Sequence, residues 1–292
     1  MFSGNLNNKI EEALSVQLRS TILILSVKSV TGGSINDAYC LVTNNGKYFI
    51  KTNQANRYPN MFEREAKGLA LLKNANTIRI PKVILFDEFE ATSFLILEYI
   101  ESTNPQPDFW QNFGKKLAEL HQNTNTNFGL DHNNYIGSLH QQNNLHPTWV
   151  DFFINERLQP QIKLARDNNE VDSTTILKFE NLYKKLDEVF PKEKPALLHG
   201  DLWSGNFMSD EKGESVIMDP AVYYGCREMD IAMARLFGGF DAEFYSSYNE
   251  YYPLENGWEQ RIDVCNLYPL MVHVNLFGGG YLGQVKSILS KF

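Results

Sequence analysis

The sequence predicts an α+β fold of two lobes: a β-rich amino-terminal lobe with one central helix, then a mostly helical carboxy-terminal lobe. Three observations predict it. Five short β-branched or apolar runs fall before residue 101, with a single well-patterned helix between the third and fourth. Residues 102–108 are polar and contain both Pro105 and Pro107, which suits a linker. Beyond them apolar residues recur at helical spacing over most of the chain, apart from the Asn/Gln-rich stretch 122–144 and the stretch around 196–218. The predicted organisation is therefore 1–101, a linker at 102–108, and 109–292. A chain of 292 residues has room for one large domain or two small ones.

Taken in order, residues 6–18 place Leu6, Ile10, Leu14 and Leu18 on one helical face. Residues 21–28 are β-branched and apolar and read as a strand. A glycine turn at 31–36 follows, and then strands at 38–43 and 47–52 joined by Asn44-Asn45-Gly46, a hairpin signal. In the helix at 61–73, Phe62, Ala66, Leu69 and Leu72 share a face. Glu65 lies within that apolar stripe, and a carboxylate aimed inward needs a partner. Strands follow at 81–89 and 93–100, and past the linker a helix at 109–121. The Asn/Gln-rich segment 122–144 reads as an exposed loop region. Helices are predicted at 148–166, 173–189, 228–237, 241–251 and 258–277, with a strand-like pair at 196–199 and 215–218.

Composition excludes several functions. Hydrophobic residues make up 43% of the chain, which rules out wholesale disorder. With 27 basic against 35 acidic residues, the net charge of −8 supplies neither a footprint for nucleic acid nor attraction to anionic membranes. No apolar run is long enough to span a bilayer, and the first residues do not read as a signal peptide. Cys40, Cys226 and Cys265 are few, odd in number and widely spaced, so a cytoplasmic protein with buried thiols is expected rather than a disulfide framework.

The chemistry concentrates in His199-Gly200-Asp201-Leu202-Trp203-Ser204-Gly205-Asn206, followed by Asp219 at the end of Val216-Ile217-Met218. An acid, then Asn five positions on, then Asp after a strand is the arrangement of protein-kinase-like enzymes, here with Gly200 where protein kinases carry Arg. Phosphoryl transfer asks for a positioned hydroxyl and for cations on the phosphates. Asp201 can take the hydroxyl proton, and Asn206 and Asp219 offer hard oxygen ligands for Mg²⁺. A kinase also needs a strand lysine for the phosphates and a helical glutamate to hold it. Lys51 at the end of the third strand and the inward Glu65 supply both.

Gly32, Gly33, Ser34, Ile35 and Asn36 lie between the first two strands, where backbone amides can cover phosphates, and Glu98, Tyr99 and Ile100 stand where adenine would meet the backbone. His199 is expected to be structural, since a base there would duplicate Asp201. Asp230 reads either as a plain helix-start acid or as the acid that holds the catalytic loop. The literal G-x-G-x-x-G at 278–283 has only nine residues after it and cannot open a βαβ unit. No G-x-x-x-x-G-K-[ST] occurs, and the six histidines show no paired metal spacing.

HGDLWSGN, followed by DPAVYYG and LFGGF, resembles the fructosamine kinase (ketosamine 3-kinase) family, within the aminoglycoside-phosphotransferase branch of the protein-kinase-like fold. GGSIND, FIKTN, FEREAKGL and NLFGGGYLGQV resemble its segments in order, so the likeness spans nearly the whole chain. It implies ATP- and Mg²⁺-dependent phosphorylation of the C3 hydroxyl of ketosamines, free or protein-bound, as a deglycation step. It also suggests Trp203, Tyr223 and Tyr224 as walls of the sugar site. Some relatives carry in the phosphate loop a cysteine that links two chains. Here that position is Ser34, so a monomer or weak non-covalent dimer is expected. Two alternatives stay open: a kinase of another small hydroxylated amine, aminoglycoside- or choline-like, and a non-catalytic nucleotide-binding protein.

Overall fold

A computed structural model describes residues 2–30 and 35–292. Helix α1 (Gly4–Leu18) starts at a Ser3 cap and buries Leu6, Ile10 and Leu14. They pack on one face of a five-stranded antiparallel sheet, β1 (Ile24–Val30), β2 (Asp37–Thr43) and β3 (Gly46–Gln54), then β4 (Val83–Phe89) and β5 (Thr92–Glu98), in the order β1-β2-β3-β5-β4. The two-residue period of a strand sorts the faces. Ile50, Phe94 and Ile96 join α1, whereas Leu95 and Leu97 join the core that contains α2 (Met61–Asn74). Lys51 is opposite Leu95 in register and so faces α2, not α1. β3 runs on past Lys51 to Gln54, so this lysine sits within the strand rather than at its end.

Residues 101–108 are all exposed and form neither helix nor strand. The core around α2 does not stop there: Phe62, Leu69 and Leu97 belong to the same buried cluster as Phe113, Leu117 and Phe152 beyond the linker. Helix α3 (Phe109–His121) follows, and then a hairpin, β6 (Asn134–Ile136) and β7 (Leu139–Gln141). This hairpin corrects the reading of 122–144 as an exposed loop. Asn134, Gln141 and Asn143 are buried, and their amides bond to one another and to the Ala221 and Val222 carbonyls. Amides can be core residues when every group is partnered, which hydropathy alone does not reveal.

Helix α4 (Trp149–Phe152) passes through a π-helical turn, Phe153–Leu158, into α5 (Gln159–Asp167). The predicted 173–189 helix is two pieces, α6 (Ser173–Tyr183) and α7 (Leu186–Val189). The two strands expected around the motif do not pair with each other. β8 (Ala196–Leu198) pairs with β11 (Tyr223–Gly225), and β9 (Phe207–Ser209) with β10 (Ser215–Ile217). Helices α8 (Glu228–Phe237), α9 (Ala242–Tyr251), α10 (Trp258–Phe277) and α11 (Leu282–Leu289) complete the chain, and the last was not foreseen. α3 and α9 meet closely at Gly114, where a Cβ would stand 2.2 Å from the Phe244 carbonyl oxygen.

Candidate active site

The segment between β8 and β9 carries Asp201 and Asn206, and the one between β10 and β11 carries Asp219. Gly200 makes the first turn possible. Its φ is +81°, and a Cβ would lie 2.1 Å from the Ala221 carbonyl oxygen, so an L side chain fits neither the angle nor the space. His199 is buried; its Nε2–H donates to the Met218 carbonyl (2.9 Å) and its Nδ1 accepts from the Asp201 amide (3.3 Å). Those partners fix the neutral tautomer, and burial lowers the His199 pKa to match. Asp230, inside the first turn of α8, accepts the backbone N–H groups of His199 (2.8 Å) and Gly200 (2.9 Å). Burial would raise its pKa, but the hydrogen bonds and charge of His121 together with these amides hold it low. Asp230 thus anchors the loop and is not a plain helix-start acid.

Asn206 donates its amide to the Asp201 carbonyl (2.8 Å) and to Asp201 Oδ2 (3.0 Å). Burial pushes the Asp201 carboxyl up to about 7 against the bond from Asn206, and repulsion from Asp219 and Asp230 adds to the rise. Asp219 has a left-handed backbone (φ 57°), uncommon outside glycine and frequent at functional turns. Its carboxylate meets Lys51 Nζ, which also donates to Glu65 Oε1 at 2.8 Å. The lysine is buried. Burial would lower its pKa, but the two carboxylates outweigh that and hold it above the ordinary range. The inward glutamate of α2 and the strand lysine therefore do meet, with Asp219 as a third member.

These residues line one cleft of about 690 Å³, a typical size for a small-molecule site. Val30, Ala38, Phe49, Leu97 and Met218 make an apolar slot at one end, with Glu98, Tyr99 and Ile100 beside it. Ile35 and Asn36 also line the cleft, whereas Gly32, Gly33 and Ser34 lie outside the described residues. Trp203 and Tyr223 face the cavity past Asp201. Tyr224 does not: alternation along β11 turns it away, and its backbone pairs with Gly129.

Some residues of the site went unnoticed in the sequence. His121 ends α3 and bridges Asp230 to Tyr248 (2.8 Å). Arg157 is fully buried, lies 3.9 Å from the centre of the Tyr223 ring and bonds Asn143 Oδ1 (2.7 Å), with no carboxylate partner among the described residues. The 3.6-residue period that exposed Glu65 would have found both, since His121 stands four residues past Leu117 and Arg157 four past Phe153 on buried faces.

The fructosamine kinase family profile matches residues 6–292. A protein named "Probable ketoamine kinase" from Synechocystis is 43% identical over 90% of this chain and 89% of its own length. The chloroplastic protein-ribulosamine 3-kinase of Oryza sativa is 39% identical over 92% of this chain and 79% of its own. A solved structure of a candidate fructosamine-3-kinase from Haemophilus somnus superposes with a TM-score of 0.89 at 28% identity, covering 98% and 99% of the two chains. An aminoglycoside phosphotransferase solved with AMP-PNP and hygromycin B shares the fold, with a TM-score of 0.64 at 16% identity over 97% and 98% of the chains. The fold is thus that of the protein-kinase-like phosphotransferases. Within that class the chain belongs to the fructosamine kinase family.

Proposed function

We propose that the protein transfers the γ-phosphoryl group of ATP to the C3 hydroxyl of a ketosamine. Asp201 accepts the hydroxyl proton; a carboxyl poised near pH 7 suits a general base at neutral pH. Lys51, steadied by Glu65, holds phosphate oxygens, and the apolar slot between Val30 and Met218 takes the adenine beside the Glu98–Ile100 backbone. Asn206 spends its amide nitrogen on Asp201, which leaves its amide oxygen, with Asp219, to hold Mg²⁺. Among the described residues no three His, Cys, Asp or Glu side chains form a cage of their own, and the pair fits an ion that shares phosphate oxygens. When bound there, the ion neutralises phosphate charge.

One observation carries the choice of acceptor within this family. Past Asp201 the cleft is lined by aromatic and aliphatic side chains and, among the described residues, by no further acid. A polycationic aminoglycoside would bury its ammonium groups there without carboxylates. A sugar head with a single amine fits better. Phosphate at C3 prepares the adduct for breakdown: loss of a C1 proton forms the C1=C2 enaminol, the C3–O bond then breaks, and inorganic phosphate leaves. Hydrolysis of the resulting imine frees the amine, which makes the reaction a deglycation. We read the protein as a cytoplasmic monomer or non-covalent dimer on its sparse, widely spaced cysteines and on Ser34 in the phosphate loop. An ATP-consumption screen tests the acceptor class. ADP should form with lysine carrying ribulose or fructose at its ε-amine, and only in the presence of Mg²⁺. Turnover confined to an aminoglycoside or choline would overturn the reading.

A further inference from the structure

We propose that the cleft continues past Asp201 into a second subsite, walled by Phe237, His273, Phe277 and Tyr281, that binds the alkylammonium side of the acceptor and so selects lysine-type adducts. The proposal rests on the ketosamine reading of the same cleft. Trp203, two residues past Asp201, reaches Phe237 with ring centres 6.4 Å apart. His273 stands at the middle of the group, its ring centre 4.6 Å from Phe237, 4.9 Å from Tyr281 and 5.4 Å from Phe277. All four rings line the cleft together with Val272 and Leu276.

The chemistry of this end is narrow. Lys51 is the lone Lys or Arg of the whole lining among the described residues, and it lies at the phosphate end. Glu170, close to Gly279 on the turn before Tyr281, is outside the lining. A carboxylate beside the sugar nitrogen would therefore lose its hydration without gaining a cation. A secondary ammonium flanked by methylenes meets aromatic faces, which attract it. It also meets an acceptor. His273 Nδ1–H donates to the Pro269 carbonyl (2.7 Å), and in that tautomer Nε2 carries a lone pair that can accept an ammonium N–H. Burial, which favours the uncharged ring, works in the same direction. Phe277 is 56% exposed, so the subsite opens to solvent and a lysine stem can continue into a protein surface.

The test compares two adducts of one sugar, N-butyl and N-carboxymethyl, in wild type, in Phe277→Ala/Tyr281→Ala and in His273→Leu. Wild type should favour the butyl adduct in kcat/KM by at least about tenfold, and the double variant should lose about fivefold or more of that preference. Phe277 is largely exposed and Tyr281 half-buried, so the double variant should fold; His273→Leu keeps most of the bulk and removes the acceptor nitrogen. Equal kcat/KM for the two adducts in wild type, or an unchanged ratio in both variants, overturns the subsite. Should no ketosamine be consumed, the reaction reading fails and the subsite is judged by binding alone. Saturation-transfer NMR with n-butylammonium should then show contact in wild type that weakens in the double variant. Absence of contact, or equal contact by butyrate, refutes it.

Discussion

At Asp201 stability and chemistry pull in opposite directions. A carboxyl held near 7 by burial binds a proton in the folded state that the unfolded chain releases near its ordinary value. Ionising it costs stability, so this residue's contribution falls as pH rises from about 4 to about 7 and is level above that. Asp201→Asn removes the penalty and the base together. We expect turnover to fall at least about a hundredfold with ATP binding retained, and the melting temperature at pH 8 to rise by several degrees, with little change at pH 4. In wild type, kcat/KM should increase through about pH 7 toward a plateau. Lys51 gives the opposite signature. Lys51→Met leaves Glu65 and Asp219 as neighbouring carboxylates without their cation and should cost about 3 kcal/mol. Lys51→Met/Glu65→Gln should recover much of that stability in calorimetry and still bind ATP weakly in titration. If the double variant regained ATP affinity, the ammonium would have no part in holding phosphate.

The Lys51–Glu65 pair was legible because the helix period put Glu65 on an apolar face in need of a partner, and the kinase-like motif called for a lysine on the third strand. Tyr224 was not, because neighbouring strand residues face opposite ways and the register of β11 depends on its pairing with β8, far away in sequence.

Among the elements, the contact between α3 and α9 bears on the site through His121. Gly114→Ala would drive a Cβ into the Phe244 carbonyl and force the helices apart, displacing His121 from Asp230. We expect a loss of about 2 kcal/mol in unfolding experiments, together with lower kcat and little change in ATP affinity. Asp230→Asn, which keeps the shape but removes the anion that receives two loop amides, should lower kcat in the same way. The helix 109–121 showed plainly in the sequence because its apolar period persists for several turns. The β6–β7 hairpin did not, since beside Ile136 its buried positions, Asn134 and Gln141, are amides held by hydrogen bonds rather than by apolar burial.

Across the whole molecule the β-sheet region and the helical region are fastened by polar contacts as well as by a shared core. Arg79, beside the sheet, bonds Asp210 (2.6 Å) and Glu211 (2.8 Å) on the β9–β10 turn, and Gln106 of the linker bonds Gly213. Cys40, Cys226 and Cys265 are all buried and unpaired, and burial raises their thiols above the ordinary cysteine range. Because the thiolate is the reactive form, folded protein should resist alkylation and give no covalent dimer with mild oxidant on a non-reducing gel. A reversible dimer would show one of the three to be accessible.

The acceptor is the central claim, and phosphorus-proton correlation NMR of the reaction with Nε-ribulosyl- or Nε-fructosyl-lysine tests it most directly. The account predicts a phosphoryl group coupled to the C3 proton, followed by slow appearance of inorganic phosphate and free lysine after the enzyme is removed. Phosphate on any other hydroxyl, or a phosphorylated product that persists indefinitely at neutral pH, would contradict it.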